Sequence, residues 1–424
     1  MSHRFETLAL HAGQMKSDET RCRAIPIHRT TAYTFRDTEH AANLFALKEL
    51  GYIYTRIMNP TQDALEQRIA ALEGGAGALA LASGTSAIFY SIINVAEAGD
   101  EIVSSSHLYG GTYTMFKDIL PHYGIRTRFV APGDLPAMEA AINDRSRAVF
   151  TETIGNPSLS VPDLEAIAEL AHAHRLPLIV DSTFTTPYLL RPLEHGADVV
   201  VHSLTKWIGG HGTGIGGIVV DSGTFDWTSG PFRTMNEPEP SYHGIRFAHD
   251  LGDMNPIAYI LRMRLVPLRN LGSAISPDNA WMFLQGTETL ALRMERHSQN
   301  ALAVAQYLES HPSVEWVKYP GLPSHETHEY AKKYLKKGFG GMIVFGIRGG
   351  RTAGESFINR LELFSHVANV GDAKSLAIHP ASTTHSQLDE QAQDLAGSQP
   401  ELIRLSIGLE HIDDIREDLD RGFG

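Results

Sequence analysis

The chain has 424 residues, 42% of them apolar, and a formal net charge of -13. That length exceeds one ordinary core and implies two or three lobes, and the apolar share is that of a folded protein. The negative charge disfavours nucleic acid or an anionic membrane as the main partner, and the single cysteine, Cys22, excludes an internal disulfide and a Cys-based metal cluster. No run of about 18 apolar residues occurs and no charged-then-apolar leader opens the chain, so a cytoplasmic protein is expected.

Residues 1–60 are mixed, with a short helix expected from Phe5 and an extended arm around Thr30–Phe35. Within Gly51–Pro60, Tyr54 and Arg56 lie two apart and share a face of an extended segment. Together they suit an anion, or else are a packed tyrosine and a solvated arginine. From Thr61, apolar residues at three- and four-residue spacing predict a helix that Gly74-Gly75 ends. Ala78–Ala82 reads as a buried strand, followed by Ser83-Gly84-Thr85-Ser86 and an apolar helix from Ala87. A strand, a Gly/Ser/Thr turn and a helix N-terminus make an anion site, because free N–H groups and the positive end of the helix dipole face the turn. The Gly-Lys-Ser/Thr of a P-loop is absent.

Asp100–Ser105 is the next strand, and Tyr109 follows its carboxyl end, where ligands gather in open α/β sheets. Its ring suits stacking on a planar ligand, or burial as a structural tyrosine. Arg147–Thr151 is a further strand, with Asn156 just beyond it. Leu176–Ser182 carries Asp181 after an apolar run, and a carboxylate there needs a partner. Ala197–Val201 leads to His202-Ser-Leu-Thr-Lys-Trp207. Lys206 at a buried strand end is either a solvated lysine or one held as an imine, because burial penalises the ammonium form. Ser203 and Thr205 offer hydroxyls beside it.

Strands alternating with helices predict an α/β fold with a doubly wound, mostly parallel sheet over residues 61–220. Residues 221–265, with Trp227 and several prolines, read as an ordered excursion rather than a linker. Ser276-Pro277 opens amphipathic helix, with Gly286 suggesting two segments. Strands at Val314–Val317, Gly341–Gly346 and Leu402–Ile407 then indicate a smaller α+β lobe. Arg404, on the last of these, suits a carboxylate or a structural salt bridge.

Together these residues supply an imine lysine, a pyridine partner, a stacking ring, a phosphate cradle and a carboxylate clamp, the parts of a site for pyridoxal 5'-phosphate (PLP). With Tyr54-Thr-Arg56, Asn59-Pro-Thr61, Glu152-Thr-Ile-Gly-Asn-Pro157, Val180–Phe184, Ser203-Leu-Thr-Lys206 and Arg404–Gly408, the chain resembles the Cys/Met-metabolism PLP-dependent enzymes over nearly its whole length. The resemblance implies the aspartate aminotransferase-like fold (fold type I), with an arm at 1–60 that contacts the neighbouring subunit. It also implies a PLP-binding large domain at 61–270 and a small domain at 271–424.

Residue by residue, it implies Lys206 as imine and base, Asp181 on the pyridine nitrogen, and Tyr109 on the ring as a second acid/base. Ser83, Gly84, Thr85, Ser203 and Thr205 would hold the phosphate, Asn156 would lie by the phenolic oxygen, and Tyr54 and Arg56 would reach a partner's phosphate in a homotetramer built from dimers. Arg404, helped by Ser375, would bind the substrate carboxylate. The excursion, and Lys374 where relatives carry Glu, favour the O-acetylhomoserine sulfhydrylase branch. That branch implies replacement of acetate by sulfide at O-acetylhomoserine; cystathionine γ-synthase, methionine γ-lyase and O-succinylhomoserine sulfhydrylase are the alternatives.

Overall fold

Seven strands form the larger sheet: β1 (Gly77–Leu81), β2 (Glu101–Ser105), β3 (Arg126–Val130), β4 (Ser146–Glu152), β5 (Leu178–Asp181), β6 (Val199–Ser203) and β7 (Gly217–Asp221). Their order is β1-β7-β6-β5-β4-β2-β3. The computed structural model describes residues 3–14, 21–383 and 399–424. Strand β7 runs antiparallel to both neighbours and the remaining pairings are parallel. Strands β2, β4, β5 and β7 are buried along their whole length, as expected when helices cover both faces of a parallel sheet. The doubly wound, mostly parallel sheet expected from the sequence is present. Strand β3 escapes an apolar-run criterion because it is an edge strand, Arg126-Thr-Arg-Phe-Val130, that alternates exposed and covered residues.

The smaller sheet comprises β8 (Val314–Lys318), β9 (Met342–Ile347), β10 (Ser365–His366), β11 (Leu376–Ile378) and β12 (Leu402–Ser406), ordered β10-β11-β12-β9-β8. Only the β10–β11 pairing is parallel among these. Phe357, Ile358, Ile415 and Leu419, from the helices Gly350–Arg360 and Ile412–Phe423, complete its core.

Two helices join the lobes. Pro277–Glu288 starts at Ser276, whose side chain accepts the Asn279 N–H. The second, Leu290–Glu309, begins after a break at Thr289. The two expected segments are there, but Gly286 does not divide them. It lies inside the first helix, where a Cβ would stand 2.5 Å from the Ile208 carbonyl oxygen. Along Leu290–Glu309, Leu290 and Met294 pack in the large-lobe core while Ala301, Val304 and Leu308 pack in the small-lobe core. Beside Met294, Arg293 donates to the carbonyls of Trp207 (2.6 Å) and Ile208 (2.9 Å). Burial pulls its pKa down to about 10.

The excursion after β7 is ordered. Trp227 stacks on Tyr259 (centroids 5.0 Å apart, planes at 16°), and Phe232, Met235 and Phe247 are buried beside them. Asn94, at the end of the helix Gly84–Ile93, donates to the Tyr259 carbonyl and accepts from Arg262. At the other terminus, Phe5 and Ala9 join the large-lobe core and Arg68 donates to the Ala12 carbonyl. Farther along the arm Ile27, Phe35, Phe45, Leu50 and Tyr54 stay exposed. Among the described residues no helix is long and apolar enough to cross a membrane, and no group of three or more His, Cys, Asp or Glu residues is placed to hold a metal ion.

Candidate active site

Parallel strands that end together bring their last residues to one edge of the sheet. Here that edge carries Glu152 (β4), Asp181 (β5) and Ser203 (β6), followed by Lys206, with Tyr109 beyond β2 and Ser83 beyond β1. Ser83 caps the helix Gly84–Ile93: its Oγ accepts the Ser86 N–H at 3.1 Å and lies 2.9 Å from Thr85 Oγ1. The N–H groups of Gly84 and Thr85 take no acceptor among the described residues. A Cβ at Gly84 would sit 2.7 Å from Ser203 Cβ, and one at Gly217 would sit 2.2 Å from the Ser83 carbonyl oxygen. Ser83, Gly84, Thr85 and Ser203 thus form one pressed-together concave surface that tolerates no side chain at Gly84. Thr205 Oγ1 donates to the Gly216 carbonyl (3.2 Å) and accepts the Gly216 N–H (3.1 Å), which fastens the lysine loop to the segment entering β7.

Asp181 is buried, and one of its oxygens accepts the Thr183 N–H at 2.9 Å. No cation pairs with it among the described residues, and burial raises its pKa. Tyr109 is half exposed (50%), while its backbone N–H donates to Glu152 Oε1 at 2.7 Å. Asn156 lies partly buried in the loop after β4. Lys206 is largely buried, and Nζ donates to Asn369 Oδ1 at 2.6 Å. Burial first, and the charge of Arg404 second, hold its pKa below the ordinary lysine value.

Arg404 stands on β12 between β11 and β9. It makes no hydrogen bond or ion pair with any described residue, although burial lowers its pKa. A buried guanidinium without an anion is costly unless a ligand supplies one. Ser375 is placed differently from expectation. It is fully buried, donates Oγ–H to Glu410 (2.9 Å) and accepts the Gly408 N–H (2.9 Å), so its hydroxyl is spent on the turn after β12. The neighbouring Lys374 points outward, its side chain 75% exposed.

Tyr54 and Arg56 do not join this cluster. The Arg56 guanidinium lies over the Tyr54 ring (5.0 Å), and its Nε donates to the Arg269 carbonyl. Two site residues receive no role from the motifs used above. Asn369 sits on the connection between β10 and β11, where no periodicity marks it. Glu152 carried the same signal as Asp181, a carboxylate closing an apolar strand.

The donor set fits PLP: a Cβ-intolerant cradle with open N–H groups for a phosphate, a buried unpaired carboxylate for a pyridinium, an exposed ring face and a buried amine. A model of the Cys/Met metabolism PLP-dependent enzyme family matches residues 6–424. The chain is 54% identical over 421 residues to an O-acetyl-L-homoserine sulfhydrylase of Leptospira meyeri, covering 98% of this chain and 95% of that one. It is also 54% identical to a homocysteine synthase of Schizosaccharomyces pombe, at 98% and 97% coverage. A solved O-acetylhomoserine (thiol)-lyase structure from Campylobacter jejuni superposes with a TM-score of 0.94 at 42% identity, over 99% of this chain and 100% of that one. That protein carries a pyridoxyl-lysine phosphate.

Proposed function

The chain belongs to the Cys/Met metabolism PLP-dependent enzymes, and from that membership we propose a γ-replacement in its cleft, O-acetylhomoserine and sulfide giving homocysteine and acetate. The observation that carries the assignment of residues is the partly buried guanidinium of Arg404, which has no anion among the described residues and lies close enough to Lys206 for its charge to act on that amine. An amino-acid substrate brings the missing carboxylate.

When bound, PLP acts as an electron sink that makes loss of protons beside the reacting carbon feasible. The Gly84 and Thr85 N–H groups would hold its phosphate with Ser83 and Ser203, whereas the Thr205 hydroxyl, expected to help, is spent on Gly216; Asp181 would keep a proton on the ring nitrogen. Tyr109 would lie on the ring and could serve a second proton transfer, and Asn156 would lie by the phenolic oxygen. Arg404 fixes the substrate carboxylate through two parallel bonds. Lys206 Nζ would take the Cα proton and, only after releasing it, the Cβ proton, and its depressed pKa favours both because the neutral amine is present at lower pH than for a solvated lysine. The Cγ–O bond breaks with its electron pair leaving on acetate, and a sulfide lone pair forms the Cγ–S bond. Lys206 then returns protons to the product carbons.

Homocysteine production from sulfide, with acetyl and succinyl esters at equal concentration, tests this. Preference for the acetyl ester with one acetate released per homocysteine is expected; cystathionine formed from cysteine at a higher rate would replace this reading with a synthase.

A homotetramer of dimers with shared sites is supported by the exposed apolar residues of the arm and by the detachment of Tyr54 and Arg56 from their own cleft. Mixing inactive Arg56→Ala and Lys206→Ala chains should restore part of the activity; no recovery would count against a shared site. Metabolic relatives and the absence of a membrane-crossing helix among the described residues favour a cytoplasmic setting.

A further inference from the structure

Glu152 and Asp181 are register partners on adjacent parallel strands, so their side chains leave the sheet side by side on one face. Both are buried. Two carboxylates so placed cannot both stay charged without two cations, and the described residues offer little. The imidazole whose charge acts on Asp181, His202, is fully buried; its Nε2 is paired with Glu73 at 2.5 Å and its Nδ1 has no partner among the described residues. The PLP reading of the cleft adds one positive charge, the protonated ring nitrogen, and that charge answers one carboxylate.

The two groups are also used differently. Asp181 accepts the N–H of Thr183 in its own turn. Glu152 reaches out of its strand and accepts the backbone N–H of Tyr109 at 2.7 Å. That bond fixes the first residue before the helix Gly110–Thr114, where the stacking ring is attached. Gly111 permits the fold of this turn, since a Cβ there would stand 2.6 Å from the Tyr109 ring.

We infer that Glu152 is a positioning residue that works as a protonated, neutral carboxyl: its oxygen holds the Tyr109 backbone against the cofactor, and its neutrality leaves Asp181 the single anion facing the ring nitrogen. Burial and the adjacent charge of Asp181 both push the Glu152 carboxyl well above the usual carboxylate range, in keeping with the neutral form. An amide supplies the same acceptor oxygen without a charge. Glutamine should therefore replace Glu152 with little loss, whereas alanine removes the tether.

The inference rests on the cofactor reading, and its test reads PLP alone, without substrate. Apoenzymes of the wild type, Glu152→Gln and Glu152→Ala are titrated with PLP, following the visible absorbance band, its circular dichroism and the dissociation constant. Glu152→Gln is expected to match the wild type in band and dichroism and to bind within about threefold. Glu152→Ala is expected to lose dichroism and to bind about tenfold more weakly, the scale of one buried hydrogen bond. A Glu152→Gln protein as impaired as Glu152→Ala would overturn the inference by showing that the charge matters. A Glu152→Ala protein like the wild type would overturn it by showing that the tether does not. Far-UV dichroism monitors folding. Should Glu152→Ala not fold, Glu152→Gln decides alone, and its failure to fold or to bind counts against a neutral carboxyl. A wild type that bound no PLP would instead refute the cofactor reading itself.

Discussion

Along the large-lobe wall of the cleft, Ser83, Tyr109, Glu152, Asp181 and Lys206 each end or follow a strand of one sheet. Along the small-lobe wall, Arg404 stands within β12 and Asn369 lies on the connection between two short strands, β10 and β11. The first wall is fixed by topology: parallel strands that finish together present their last residues together, whatever the loops do. The second is fixed by packing. Gly371 fits only because a loop backbone can approach Lys206, with a Cβ there 2.9 Å from the Lys206 carbonyl carbon, and the Ala373 N–H donates to the Gly210 carbonyl. On the proposed reading one wall would hold the cofactor and the other would address the substrate. Damage to the first should appear in PLP binding and damage to the second in KM.

The largest effect separating the walls is expected at the residue both of them touch. Lys206→Ala should reduce turnover by on the order of 10^3-fold or more and remove the lysine-linked absorbance band. Persistence of that band in amine-free protein would refute the assignment.

Arg404→Ala comes next. It should raise KM by about 10- to 100-fold, the worth of a charge-assisted bidentate pair, while bound PLP stays intact. It has a second signature. The Arg404 charge helps hold the Lys206 pKa down, so its removal raises that pKa. The neutral amine then exists only at higher pH, and recombination of the apoenzyme with PLP should shift toward alkaline pH. An unchanged profile would separate the two side chains electrostatically.

Gly84→Ala probes the first wall alone. Its Cβ would collide with Ser203, so PLP should bind about tenfold more weakly, a scale set by about 1–3 kcal/mol of overpacking, with KM changing far less. An equal change in both constants would blur the division of labour.

The smallest effect belongs to Ser375→Ala. With its hydroxyl spent on Glu410 and Gly408, its loss should lower the melting temperature slightly and leave KM within about twofold, since about one to two hydrogen bonds of stability are at stake. A tenfold rise in KM would return Ser375 to the carboxylate site.

The same division explains what the sequence made legible. Apolar runs marked the buried strands, and a polar residue closing such a run marked Asp181 and Lys206. Glu152 closes a less uniform run, Arg147-Ala-Val-Phe-Thr151, and the motif pattern assigns a role instead to Asn156, four residues on. The family resemblance assigns Ser375 to the carboxylate beside Arg404, yet a residue's place in a motif does not fix the direction of its side chain. Its hydroxyl turned toward Glu410. Asn369 lacked any periodic or strand-end signal, since tertiary packing alone delivers it to Lys206. Edge strand β3 was lost for a related reason, having too little buried face to write an apolar run.

The 20-residue helix Leu290–Glu309 is a rod about 30 Å long, clamped near one end in the large-lobe core and near the other in the small-lobe core. It therefore ties the two cores together along one continuous element. Arg293 is its bearing on the backbone of Trp207 and Ile208, immediately after the lysine. A tilt that draws Arg404 onto a carboxylate is therefore felt in the same displacement by the lysine's own main chain. Gripping the substrate and aiming the base become one mechanical degree of freedom.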